Sequence, residues 1–127
     1  MLISLHVRQF AVVEQAEVDF GTGLTVVTGE TGAGKSLLVD ALLLLAGARA
    51  DSGMVRAGSD RAELSAEFDL AALPEARAWL AREELDDGAA CQLRRVIRAE
   101  GSSRGWINGR PASAGQLAEL ATLLVEI

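Results

Sequence analysis

The 127-residue sequence predicts an α/β domain, a mixed sheet gathered round one buried helix, and three observations carry that reading. Residues 24–28, "LTVVT", form a continuous apolar run rich in β-branched side chains, the composition of a strand covered on both faces. A glycine-rich octet, "GETGAGKS", follows at once, and residues 35–46 behind it are strong helix formers that are apolar nearly all round. Elsewhere the hydrophobic pattern repeats every second residue, the period of half-buried strands.

In chain order, Ile3, Leu5 and Val7 alternate with Ser4, His6 and Arg8, and Ala16, Val18 and Phe20 alternate with Glu17 and Asp19. Two strands therefore precede the octet strand, which is entered through a Gly21-Thr22-Gly23 turn. Gly47 is placed to stop the helix behind the octet. Leu64, Ala66, Phe68 and Leu70 against Glu63, Ser65, Glu67 and Asp69 give the cleanest alternation, a strand with one wet face. Pro74 opens a helix whose stripe of Ala76, Trp79 and Leu80 is read as packing. Asp87-Gly88 turns into a strand over 91–99, and "RGWINGRP" reads as a further strand ending in an Asn108-Gly109 turn. Ser113 is placed to cap a last helix through Leu120, and residues 123–127, "LLVEI", read as an apolar strand. No repeat or linker breaks the chain, so residues 1–127 are expected to form one domain.

Half the residues are hydrophobic and the net charge is −6, a balance that argues against general coating of nucleic acid while leaving room for a local basic patch. A single cysteine, Cys91, excludes an intrachain disulfide and suits a reducing cytoplasm. The N-terminus lacks the marks of a secretory signal, and the apolar run over 41–46 is far below the roughly 20 residues that span a bilayer, so no membrane partner is expected.

The octet matches G-x-x-x-x-G-K-[ST] at every fixed position. Its glycines let the backbone of Gly29, Glu30, Thr31, Gly32, Ala33 and Gly34 curl with N–H groups against a polyphosphate, and the N-terminus of the following helix adds partial positive charge. Lys35, the only lysine in the chain, is expected to reach the outer phosphates, and Ser36 to ligate Mg²⁺. The sequence thus predicts binding of a nucleoside triphosphate with Mg²⁺. No Asn-Lys-x-Asp motif occurs, which argues against a GTPase.

The segment "LISLHVRQFAVVEQAEVDFGTGLTVVTGETGAGKSLLVDAL", then "MVRAGSDRAELSAEF", "LRRVI" and "SRGWINGRPAS", together resemble the SMC-like ABC ATPases of bacterial DNA repair, in order along nearly the whole chain. Thr31 stands where many members carry Asn, and Ala11 where they tend to carry a basic residue. The resemblance implies the N-terminal lobe of a P-loop ATPase head that binds ATP and Mg²⁺ and acts in double-strand-break repair and recombination. It also implies what lies elsewhere: a glutamine loop, coiled-coil arms, an LSGG signature, a Walker B aspartate with a catalytic glutamate, and a switch histidine. No catalytic residue is therefore expected in these residues. The implied partners are a C-terminal lobe of the same head, a second head in a homodimer, and DNA through a longer protein, in a bacterial, nucleoid-associated cytoplasmic setting. Alternatives are another P-loop enzyme, such as a small-molecule kinase, and a nucleotide-binding module without chemistry.

The resemblance also marks Arg56, in "VRAG", as an arginine that approaches nucleotide or DNA, with a plain solvated arginine as the alternative. Arg94, Arg95, Arg98, Arg104 and Arg110 gather in a stretch with Glu100 as its one acid, either a phosphate-binding face or a solvated one. Arg95 shares the parity of Cys91, Leu93 and Ile97, which points it inward as a salt-bridge partner. Trp106 is read as hairpin packing rather than a base platform. His6 falls on the polar side of its strand, without a companion at metal-ligand spacing.

Overall fold

A computed structural model describes residues 2–19, 25–26, 33–100 and 103–124. The strands are β1 (Leu2–Phe10), β2 (Val13–Asp19), β3 (Thr25–Val26), β4 (Arg61–Asp69), β5 (Ala90–Arg98), β6 (Arg104–Ile107) and β7 (Arg110–Ala112). The helices are α1 (Ala33–Leu45), α2 (Pro74–Arg82) and α3 (Ala114–Leu124), with one 3-10 turn at Ser52–Met54. One sheet runs in the order β3-β2-β1-β4-β5-β6-β7, and each pairing among the described residues is antiparallel. The parallel partner that a mixed sheet requires is not among them.

Period-two patterning decides which face of the sheet is covered. In β4, Ala62, Leu64, Ala66 and Phe68 are buried while Arg61, Glu67 and Asp69 are exposed, and the opposite residues of β5 (Ile97, Arg95, Leu93, Cys91) share the buried side. Leu5 and Val7 of β1 extend that inner face. Ala41, Leu44 and Leu45 of α1, Ala76, Trp79 and Leu80 of α2, and Leu117, Leu120 and Leu124 of α3 complete a single core against it. Helices on one side and a wet sheet face on the other give a two-layer α/β lobe.

The Asn108-Gly109 turn and the Ser113 cap are present, while the Gly21-Thr22-Gly23 turn lies outside the described residues. Asn108 and Gly109 both take positive φ, 51° and 80°, as a two-residue hairpin requires. Ser113 Oγ accepts from the Gln116 amide at 3.1 Å while Gln116 Oε1 accepts from the Ser113 amide at 2.9 Å, a reciprocal cap for α3.

The expected strand at residues 123–127 is corrected. Leu123 and Leu124 are the last two residues of α3, because Leu117, Leu120 and Leu124 recur at helical spacing and all three are buried. Residues 125–127 lie outside the described residues.

Candidate nucleotide-binding site

Gly29, Glu30, Thr31 and Gly32 lie outside the described residues, as do the side chains of Ala33, Lys35 and Ser36. What is described is the frame that carries them. β3 feeds the octet and α1 begins at Ala33, so the last four octet residues form the first helical turn. The first four amides of a helix have no acceptor within it, and here they belong to the glycine loop itself, which suits a phosphate and not a cation. The strand-to-helix setting expected of the octet is therefore met. Among the described residues no cluster of metal-ligating side chains occurs.

The far end of α1 is held by two contacts that come from distant parts of the chain. Gly47 ends the helix at φ 92°, with its amide on the Leu44 carbonyl and the Ala48 amide on the Leu43 carbonyl, both at 3.1 Å. A Cβ at Gly47 would run into the Ala114 carbonyl, so α3 can approach α1 only because this residue is glycine. From β5, Arg95 donates through Nη1 to the carbonyls of Leu44, at 2.6 Å, and Ala48, and through Nη2 to Ser103 Oγ at 3.2 Å. It is only 4% exposed, and burial pushes its guanidinium pKa down. The inward direction expected from parity holds, but the partners are helix C-terminal carbonyls and not a carboxylate. The Leu44 carbonyl, in the last turn of α1, carries part of the negative end of the helix dipole.

Arg56 is held instead at the end of β1. The chain over 52–59 crosses the end of β1: the Ala11 amide donates to the Met54 carbonyl at 2.6 Å, the Arg56 amide to the Gln9 carbonyl at 2.8 Å, and Phe10 bridges Val55. Gln9 and Ala11 both have positive φ, 51° and 54°, a turn out of the strand that sequence patterning did not signal. Gln9 Oε1 accepts from Arg56 Nη1 at 3.3 Å and from Ser59 Oγ at 3.0 Å. Nothing in the composition of β1 singles out Gln9; its role arises from a residue 47 positions away.

The structure divides the arginine group anticipated between 94 and 110. Arg95 is buried; Arg110 donates to the Glu84 carbonyl beyond α2; Arg94, Arg98 and Arg104 remain on the outer face. There Arg94 Nη2 lies 3.1 Å from Glu63 Oε1 and its guanidinium 4.9 Å from the Trp106 ring centroid. Trp106 pairs with Pro111 across the hairpin, so it packs there as expected. Arg8 at 3.7 Å and Arg61 at 3.9 Å converge on the same Glu63, two cations that sequence reasoning missed because they come from other strands. His6 sits on this face, 3.6 Å from Glu17. Cys91 is buried in β5, and burial pushes its thiol up to about 12, so it is inert.

Comparison with known proteins agrees with this frame. The AAA domain family matches residues 4–103. All 127 residues align with the DNA repair protein RecN of Xylella fastidiosa (strain Temecula1 / ATCC 700964) at 61% identity, and the whole chain aligns with that of Haemophilus influenzae (strain ATCC 51907 / DSM 11121 / KW20 / Rd) at 46%. In each case the chain spans 23% of the relative's length. A structure described as "Structural biochemistry of ATP-driven dimerization and DNA stimulated activation of SMC ATPases" superposes with TM-score 0.72 at 24% identity, covering 97% of this chain and 78% of that one, which establishes a shared fold. With an octet between strand and helix, the fold of an SMC head lobe, and a family match over most of its length, the chain belongs to the AAA domain family and is similar throughout to the N-terminal region of RecN.

Proposed function

We propose that the chain is the ATP-binding lobe of a RecN-like ATPase that acts in DNA double-strand-break repair and recombination. The observation that carries this reading is the full octet motif set between β3 and α1 in a chain 61% identical to a RecN. The backbone of residues 29–34 cradles the phosphates, Lys35 reaches the outer ones, Ser36 ligates Mg²⁺, and Arg56 adds a second positive charge. Bound Mg²⁺ would offset charge on the phosphate oxygens. Phosphoryl transfer also needs a group that positions water and others that stabilise developing charge. In this reading those belong to a C-terminal lobe and a second head of a homodimer, and DNA engages the longer protein.

Two measurements test it. Calorimetry with Mg²⁺-ATP should show binding that Lys35→Ala weakens by roughly ten- to a hundredfold, the loss of a charge-assisted contact. Phosphate release by the chain alone should stay near background and rise on adding a matching C-terminal lobe. Robust Lys35-dependent turnover without that lobe would instead favour a self-sufficient P-loop enzyme. Unchanged affinity in Lys35→Ala would remove the nucleotide site altogether.

A further inference from the structure

We propose that Gln9 is a positioning residue that presents Arg56 to a phosphate of the bound nucleotide as a held but un-neutralised cation; this rests on the reading of Arg56 given above. The argument begins with strand direction. β3 is antiparallel to β2 and β2 to β1, so β3 points the same way as β1, and the chain leaves Val26 toward the end of the sheet where β1 finishes at Phe10. The octet starts three residues after Val26 in the sequence, and β3 itself is directed to the sheet end that bears Gln9 and Arg56.

The second step concerns how Arg56 is held. Of the other arginines whose partners are given above, Arg8, Arg61 and Arg94 lean on the Glu63 carboxylate, and Arg95 and Arg110 are bound by carbonyls. Arg56 has no carboxylate within ion-pair distance among the described residues. Among the described residues its side-chain partner is the neutral amide oxygen of Gln9, which occupies one N–H of the guanidinium and leaves its charge intact. The same oxygen accepts from Ser59, so the loop is pinned on both sides of Gly58, and the positive φ of Gln9 turns that side chain out of the strand's alternation toward the loop. An arginine stem loses considerable rotamer freedom when it is fixed; holding it before the ligand arrives removes part of that cost from binding. A carboxylate in the same place would hold the arginine equally well but cancel the charge that attracts phosphate.

The test uses the 127-residue chain and Mg²⁺-ATP calorimetry across Arg56→Met, Gln9→Met, the double variant, and Gln9→Glu. Arg56→Met should weaken binding about tenfold or more. Gln9→Met should weaken it by a smaller factor, and the double variant should be no weaker than Arg56→Met alone, because Gln9 acts only through the guanidinium. Gln9→Glu keeps the acceptor and the loop, so its circular dichroism and melting temperature should match wild type, yet it should bind ATP as weakly as Arg56→Met. A structural role for Gln9 predicts the reverse, with Gln9→Glu binding ATP normally. Full additivity in the double variant, or normal affinity in Gln9→Glu, overturns the proposal. Normal affinity in Arg56→Met overturns the prior reading of Arg56 and this proposal with it. If the Gln9 and Arg56 variants leave ATP binding intact but lose affinity for a short DNA duplex, the phosphate is the nucleic acid's and the nucleotide assignment falls.

Discussion

Arg94 and Arg95 are neighbours on one strand, and the lobe treats them oppositely. Arg94 lies on the outer face, 43% exposed at its side chain, sharing Glu63 with two other arginines and covering Trp106. Arg95 is inside, with no carboxylate partner among the described residues, and fastens the end of α1 to β5 and Ser103. An exposed ion pair is screened by water and contributes little, whereas a buried guanidinium that ties together acceptors from separate parts of the chain is costly to remove. The same side chain thus ornaments one face and organises the other, and the pleat alone decides which.

The sharpest way to break that contrast is Arg95→Ala. It strips donors from the Leu44 and Ala48 carbonyls and should destabilise the lobe by about 3 kcal/mol in chemical denaturation. Arg95→Lys should recover only part of this, because one ammonium cannot span both the helix carbonyls and Ser103. If Arg95→Ala costs under about 1 kcal/mol, α1 is held by its apolar face alone.

Gly47→Ala should come next, at about 2 kcal/mol, since it combines a left-handed φ with a collision against the Ala114 carbonyl. Gly88→Ala is the control. Its φ is also positive, 67°, but nothing lies within 4 Å of the new Cβ, so it should cost only about 1 kcal/mol. Equal losses at the two sites would show that the α1–α3 approach is not tight.

Cys91 reports on the inner face through pH. Its thiol titrates near 12 in the folded lobe and near its ordinary 9.0 in the unfolded chain, so the unfolded state releases the proton first. The stability this group contributes is whole below pH 9 and is lost as pH rises toward about 12, at up to ~1.4 kcal/mol per pH unit. Cys91→Ala should flatten that part of the stability–pH curve, measured as denaturation midpoints between pH 8 and roughly 10.5. An unchanged curve would mean the thiol is not desolvated.

Arg94→Ala should have the smallest effect, below about 1 kcal/mol, including the lost Trp106 contact. Its coupling to Glu63→Gln should fade in roughly 1 M salt, where the Debye length is only about 3 Å, while the Arg95 effect persists. A salt-resistant coupling would mean that the Glu63 cluster is a structural network and not a solvated face.

Much of this was legible in the sequence because the signals are local. The octet motif, the alternation in β4, the Asn108-Gly109 turn and the Ser113 cap each depend on residues a few positions apart. The misreading of Leu123 and Leu124 as strand came from a run too short to separate strand from helix; burial against the core chose the helix. Asn108 shows where local reading stops. Its turn was foreseen, but its Oδ1 also accepts from the Gln92 amide at 2.8 Å and its Nδ2 donates to the Leu85 carbonyl at 2.7 Å, ties that cross 16 and 23 residues.

By itself, the sequence determined the local motif: a glycine loop ahead of a helix, closed by the chain's one lysine and a serine in the full G-x-x-x-x-G-K-[ST] pattern. It also determined the direction of Arg95, because parity along a strand is a property of the backbone. Only the tertiary structure decided what each group meets. Arg95 meets α1 across 51 residues and Ala48 beyond it across 47, Gln9 meets Arg56 across 47, and three arginines from three strands share one glutamate. Those meetings follow from strand order and register, which are selected by burying the whole apolar face at once and are written in no single stretch of the chain.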